Sequence, residues 1–446
     1  MAKRVARRNY PHIAIRRSIR HTCRMLDRPA FLNVAASALG RRWVGPEPAV
    51  ERAGLALAQA TGLPEALARV LASRGVAAEQ AESHLAPRLR DLMPDPSTLR
   101  DMDAAAERLA RAAHRGERIA IFADYDVDGA SSAALLIRWL RALDCAPTLY
   151  VPDRIAEGYG PNAPAMRALG AEHDLIVCVD CGTVADGPVA EARAAGAEVI
   201  VADHHLCEEI PPRATAVVNP NRPDDESGLG HLCAAGVVFL LIVAANRALR
   251  GQAAPAPDPM PLLDLVALAT VADVAPLVGL NRAFVAQGLR VMSERRNAGL
   301  RALADAARLS GPPAAFHLGF LLGPRINAGG RVGAAELGAR LLATDDPREA
   351  ASLADTLDGL NKERQAIEAA VLAEALAQAE ARGADGPLVW AAGEGWHPGV
   401  VGIVASRLKE RFERPAVVIG LDGAEGKGSG RSVEGVDLGA SVARLA

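Results

Sequence analysis

Aromatic residues are scarce in this chain: Phe, Trp and Tyr make up 3% of 446 residues, although 50% are hydrophobic. Aliphatic side chains must therefore fill the cores. The charged fraction of 23% is that of a globular protein, not a disordered one. Cysteine is sparse as well, six residues scattered at positions 23, 145, 178, 181, 207 and 233. That argues against a disulfide framework and fits a reducing, cytoplasmic compartment. No unbroken run of about 18 apolar residues occurs, the length a membrane-spanning helix needs. Nor does one sign of charge dominate. A net charge of -3 gives no global pull towards nucleic acid or membrane, so any polyanion site has to be a local basic patch.

What is present is organised along the chain. Residues 1–45 hold eleven Lys and Arg against a single acid, Asp27, and read as a basic, disordered extension. Residues 46–115 read as a helical preface, with Leu67, Val70 and Leu71 on one face and breaks at Gly75, Pro87, Pro94 and Pro96. From 116 to 344, strand-like and helical stretches alternate, with strands expected at 118–123, 148–151, 174–179, 198–202 and 216–218. That is the pattern of a parallel sheet with crossover helices. Residues 345–384 carry Leu353, Leu357, Leu360, Ile367 and Val371 at near-heptad spacing, which predicts a long connecting helix. Residues 385–446 return to strand-like runs, 387–392 and 415–420, among glycine-rich loops: a second, smaller α/β domain.

The chemistry gathers at the ends of these runs. Asp124-Tyr125-Asp126-Val127-Asp128-Gly129 turns from an apolar strand into a helix. Three ionised acids so close repel one another and need a cation or strong donors; alone, the same hexapeptide also reads as an acidic solvated turn. Strand 174–179 ends in Asp180-Cys181-Gly182, strand 198–202 in Asp203-His204-His205, and the helix expected over 262–272 in Asp273. Taken singly, Asp180 also reads as a helix N-cap and Asp203 as a capping acid. If the strands are parallel neighbours, Asp126, Asp180, His204 and Asp273 face a common point. Carboxylates with imidazole suit Mn²⁺ or Mg²⁺, and a shared carboxylate can bridge two ions about 3.5–4 Å apart. A zinc site competes through Cys178-Val-Asp-Cys181 with Cys207 near His204, but no second CxxC exists, and free buried thiols are the better reading.

Together these stretches resemble the DHH phosphoesterase superfamily and, within it, the single-strand-specific 5′→3′ exonucleases. The resemblance runs over roughly residues 42–446. It is carried by Phe122–Gly129, Val179–Gly182, Asp203–His205, Ala272–Pro276, Gly323–Arg331, Gly395–Gly402 and Gly428–Ser432. It implies an α/β protein in which a parallel-sheet DHH domain is joined by a long helix to a smaller DHHA1 domain across a cleft. It implies that Asp126, Asp180, His204 and Asp273 ligate one metal and Asp124 and Asp180 a second, with Asp128 and His205 completing the catalytic set. Two Mn²⁺ or Mg²⁺ sites would hydrolyse single-stranded DNA from its 5′ end to mononucleotides, in repair and recombination. A single-strand-binding protein and a helicase are the implied partners, no membrane is, and a monomer is expected. The alternative is a family phosphodiesterase of short oligonucleotides or cyclic dinucleotides.

Substrate contacts follow. In Gly428-Ser-Gly-Arg-Ser432, small residues let backbone N–H groups approach an anion, and Ser429, Arg431 and Ser432 add donors. With the resemblance this becomes a 5′-phosphate pocket. Arg325 and Arg331 flank Asn327 in what reads as a glycine-rich loop, suited to phosphodiester contact, and His397 is expected to bond the scissile phosphate. A base can stack on Tyr159, with Arg154 meeting the backbone. Read singly, the arginines are surface residues, His397 is structural and the glycines form an ordinary turn. Position 123 is Ala where the family usually has Gly, and 329–330 read Gly-Gly where Ala-Gly is commoner. The family enzyme also continues into an oligonucleotide-binding β-barrel beyond the point where this chain stops. A fragment, or a missing barrel, is the expectation, bearing on strand binding rather than on chemistry.

Overall fold

In a computed structural model of the chain, the described residues are 29–444 apart from 155, 208–210 and 384–385. Most of the basic segment expected over 1–45 lies outside them. Of its remainder, residues 31–43 turn back on themselves: Phe31 N donates to Trp43 O and Trp43 N to Val34 O, each at 3.0 Å. Charge alone suggested a structureless segment there; these backbone bonds tie it down.

The apolar run after Arg118 becomes strand β1, Ile119–Ala123, buried at every residue. It is followed by β2 (Thr148–Tyr150), β3 (Leu175–Val179), β4 (Glu198–Ala202) and β5 (Ala216–Val218). All pair in parallel, in the order β2-β1-β3-β4-β5. Side chains alternate between the two faces, and both faces are covered. Ile119, Ile121, Val177 and Ile200 join the larger core with helices Met102–Arg115, Val127–Arg141, Ala234–Gly251 and Leu263–Ala272. Phe122, Ile176, Cys178 and Val201 pack on the other side against helices Ala163–Glu172 and Asp186–Ala194.

One described helix, Ala234–Gly251, is long and apolar enough to cross a membrane by length and composition. It carries Asn246, Arg247 and Arg250, which is why no unbroken apolar run appears in the sequence. Its residues from Ala234 to Ile242 are all buried in the core.

The chain divides into two compact units. The larger holds Ser83–Ala370 with His397–Val400; the smaller holds the described residues up to Glu82, Val371–Trp396 and the chain from Val401. Helix Pro347–Ala381 has 35 residues, about 52 Å at 1.5 Å per residue. Its Leu353 and Leu357 are buried in the larger core, and its Val371, Ala375 and Ala379 are buried in the part assigned to the smaller unit. The near-heptad stripe therefore serves two cores in succession. The smaller unit contains β6 (Val389–Glu394) parallel to β7 (Ala416–Asp422), and β8 (Glu425–Arg431) antiparallel to β7. It also contains the helix pair Pro48–Thr61 and Glu65–Ser73, closed by Leu57, Ala68 and Leu71.

Candidate metal centre

Strand register makes the site. Ala123 pairs with Val179 and Val179 with Ala202 across β1, β3 and β4. The acids that follow them, Asp124, Asp180 and Asp203, therefore line one edge. The ladder reaches into them: Asp124 N donates to Val179 O (3.4 Å), Asp180 N to Ala202 O and Asp203 N to Val218 O (3.0 Å each). Asp126 caps helix Val127–Arg141, its Oδ1 accepting from Asp128 N (2.8 Å) and Gly129 N (3.1 Å). Position 129 has to be glycine, since a Cβ there would lie 2.3 Å from Asp124 O. Asp273 arrives from the C-terminal cap of helix Leu263–Ala272.

Three overlapping groups result, each with ligand atoms within 4.8 Å of one another: Asp124, Asp126 and Asp180; Asp180, His204 and His205; Asp128, His204 and Asp273. All seven residues of the expected catalytic set meet here. They do so as three linked triads rather than as one set of Asp126, Asp180, His204 and Asp273. His204 Nε2 stands 3.3 Å from Asp180 Oδ1, 3.6 Å from Asp128 Oδ2 and 3.9 Å from Asp273 Oδ2.

The cluster is short of positive charge. Burial, then Asp126, pushes Asp124 up to about 7. Burial, again with Asp126, pushes Asp273 up to about 6. Asp128 and Asp180 are raised by burial and by neighbouring acids. Asp124 Oδ1 and Asp180 Oδ1 are buried with no hydrogen-bond partner among the described residues. An orphaned carboxylate oxygen is costly, and hard oxygen donors with imidazole are the donor set of Mn²⁺ or Mg²⁺. The residues fit the expected cations. The thiols do not compete: Cys178 and Cys181 are packed in the apolar cluster with Phe122, Ile176 and Val201, and neither belongs to a ligand group.

Two acids have duties that sequence reasoning missed. Asp128 is buried with both oxygens engaged, Oδ2 accepting from Ala234 N (2.7 Å) and Oδ1 from Ala235 N (2.8 Å). It thus closes the N-terminus of helix Ala234–Gly251 while facing His204. Asp203 accepts from Thr183 Oγ1 (2.7 Å), His204 N (2.7 Å) and His205 Nδ1 (2.7 Å). These bonds hold Asp203 well below the usual carboxylate range although it is buried. In return, the bond to Asp203 lifts His205 to about 9, whereas burial lowers His204. Neighbouring histidines are thus set apart, one held up and one held down. The signal was Asp203 itself, an acid placed one and two residues before two imidazoles.

The substrate-contact candidates separate. Tyr159 Oη lies 3.0 Å from His205 Nε2, and the residue is 58% exposed. Arg154 bonds Tyr125 Oη and lies over that ring. Arg331 donates to Gly399 O (2.9 Å), while His397 Nδ1 accepts from Gly399 N (3.0 Å). Arg325, by contrast, is tied to Asp358 (2.9 Å) and Leu321 O (2.7 Å) and is not a free anion ligand. Asn327 Oδ1 accepts from Val127 N (3.0 Å), bracing the turn after Asp126. Residues 323–332 form a helix rather than the expected loop, and Gly330 on it sits against Tyr125, where a Cβ would come 2.2 Å from the ring. In the smaller unit Arg431 donates to Ser429 Oγ (2.9 Å) and Ser406 Oγ (3.2 Å). Gly428–Arg431 is strand, not loop, since β8 pairs with β7. Ser432 donates to Val436 O, a turn contact.

A family model described as DHH family, N-terminal domain, matches residues 118–270, and one described as DHHA1 domain matches 385–446. Fold and site together define a protein that joins a DHH domain to a DHHA1 domain. The single-stranded-DNA-specific exonuclease RecJ of Salmonella typhimurium is 41% identical over 403 residues, 86% of this chain and 68% of that relative. A structure of exonuclease RecJ bound to manganese superposes with a TM-score of 0.68 at 37% identity, covering 79% of this chain and 86% of that one. The Mg²⁺ complex of RecJ from Thermus thermophilus gives 0.67 at 33% identity, over 90% of this chain and 54% of that one. The chain belongs to the RecJ family.

Proposed function

We infer that this chain is a metal-dependent exonuclease that degrades single-stranded DNA, working from the 5′ end and releasing mononucleotides. The observation that carries the reading is the meeting of seven acid and imidazole side chains, two of the acids with orphaned oxygens, at one sheet edge in a RecJ-family chain. Relatives bearing that name are single-strand-specific exonucleases, and RecJ structures hold manganese or magnesium.

Asp124, Asp126, Asp180, His204 and Asp273 are the residues assigned to hold the cations. Bound there, divalent ions supply Lewis acidity, making a water nucleophilic at neutral pH and offsetting charge on the phosphodiester. The chain supplies the rest. The bond from His205 Nδ1 to Asp203 fixes the imidazole so that Nε2, now 3.0 Å from Tyr159 Oη, is turned to where an anionic oxygen of the substrate would lie. Neutral His204 is the form an ion requires. Arg154 and Arg331 place positive charge beside Tyr125, on the path of a phosphate backbone. Such a substrate has to be supplied by strand separation, so a helicase or a single-strand-binding protein is the matching class of partner, in the cytoplasm during repair.

The test is a time course on a long 5′-phosphorylated single strand, its duplex and a dinucleotide, with Mn²⁺ and then with chelator. Mononucleotides released from the 5′ end of the single strand alone, and none in chelator, are expected. Preference for the dinucleotide would replace this reading with that of a short-oligonucleotide or cyclic-dinucleotide phosphodiesterase.

A further inference from the structure

Each of three ligand-bearing loops carries an exposed aliphatic side chain shortly beyond its ligand. Val184, four residues after Asp180, is 79% exposed; Leu206, directly after His205, is 84% exposed; Val274, directly after Asp273, is 85% exposed. Apolar surface residues scattered singly need no explanation. Three of them beside the ligands of one acidic cluster do, because nothing in that cluster gains from them.

Val274 carries a second anomaly. Its φ is 60°, the left-handed region that β-branched residues avoid. It follows the cap of helix Leu263–Ala272, with its N–H on Val271 O (3.2 Å), a position where glycine or asparagine is the stable choice. A strained residue pointing apolar surface at solvent, next to a metal ligand, is an expense that folding does not require.

We propose that Val184, Leu206 and Val274 form an apolar collar that holds the unpaired bases of the nucleotides flanking the scissile phosphate. The proposal rests on the exonuclease reading above and adds a source of strand selectivity to it. A phosphate on the ligands brings its neighbouring nucleotides over these loops. Aliphatic side chains offer nothing to phosphate oxygens but do cover the apolar faces of bases. In a duplex those faces are stacked and paired, so a duplex cannot use the collar. Contact of this kind has no base preference, as an enzyme that consumes any sequence requires. Tyr159, exposed and bonded to His205, extends the same rim.

The test combines the triple variant Val184→Ser, Leu206→Ser, Val274→Asn with a strand whose first nucleotides are abasic. Asparagine tolerates the left-handed backbone, so the variant is expected to melt no lower than wild type. Its KM for the ordinary strand is expected to rise about tenfold, the scale of one lost base contact. On the abasic strand wild type loses the same factor and the variant loses nothing more. A variant with wild-type KM on the ordinary strand overturns the collar alone, as does a variant whose loss is undiminished on the abasic strand. A wild type that cleaves neither strand overturns the collar together with the function on which it rests.

Discussion

Where β1, β3 and β4 begin, carboxylates are bonded to arginines; where they finish, carboxylates face one another and two histidines. At the first end Arg118 holds Asp174 at 2.9 Å, and Arg108 spans Glu117 (2.6 Å) and Glu198. The bond from Arg118 draws Asp174 down to about 2. At the second end Asp124 and Asp273 are pushed up to about 7 and about 6. Acids stand at both ends of the same three strands: Glu117, Asp174 and Glu198 at one, Asp124, Asp180 and Asp203 at the other. The first end neutralises its acids from within the chain; the second does so for Asp203, through His205, and leaves Asp124, Asp180 and Asp273 to a ligand. Ligands bind beyond the carboxyl ends of strands in open α/β sheets, and here charge bookkeeping marks the same end independently.

The sharpest way to break the comparison is Asp180→Asn. Asp180 has φ 59°, which asparagine accepts, and is shared by two of the ligand groups. Cleavage is expected to fall at least about 100-fold, the upper loss seen when only an outer-shell partner of a metal ligand is removed. Melting in chelator is expected to stay level or rise, because a buried acid among acids has gone. Activity near wild type would remove Asp180 from the ligands.

Arg108→Ala probes the opposite end. The arginine side chain is 5% exposed and bonds two glutamates. Its loss should cost up to about 3 kcal/mol, from the charged hydrogen bonds and the packing of its stem rather than from a stranded buried charge, since Glu198 is 47% exposed, read by denaturant unfolding, with kcat for single strands unchanged. A loss of kcat without a loss of stability would mean that the two ends are not separate in function.

Much of this division was legible in the sequence. Strands 198–202 and 216–218 lie where expected, because short apolar runs bounded by turn residues leave little choice. Acids placed directly after such runs announced the edge. β8 was not legible: Glu425–Arg431 contains Gly426, Gly428 and Gly430, and glycine has poor strand propensity, so pairing with β7 decides its state. Nor was the fate of Arg325. Its partner Asp358 lies 33 positions away, and a long-range ion pair leaves no local pattern. The same holds for Asp128, whose partners are backbone amides more than a hundred residues on.

Mn²⁺ should stabilise one end and not the other. At about 100 times Kd the linkage is about 2.7 kcal/mol, or roughly 4 °C in melting temperature for a unit of this size. Asp180→Asn should lose most of the shift, and Arg108→Ala should keep it. An equal shift in all three proteins would place the ion elsewhere.

The smallest effect is expected at Asp174. Its folded pKa, about 2, lies below the ordinary 3.8 because Arg118 donates to it from side chain and backbone. A depressed acid contributes stability above its unfolded pKa and loses it as pH falls through the folded one. The Arg118–Asp174 contribution is thus complete above about pH 4 and fades towards about pH 2. Asp174→Asn keeps an oxygen for the Arg118 N–H and removes only the charge. Variant and wild type should melt apart slightly at neutral pH, since exposed ion pairs contribute little, and should converge in acid. A gap that widens as the pH drops would reverse the sign and show that this end, too, holds its acids under strain.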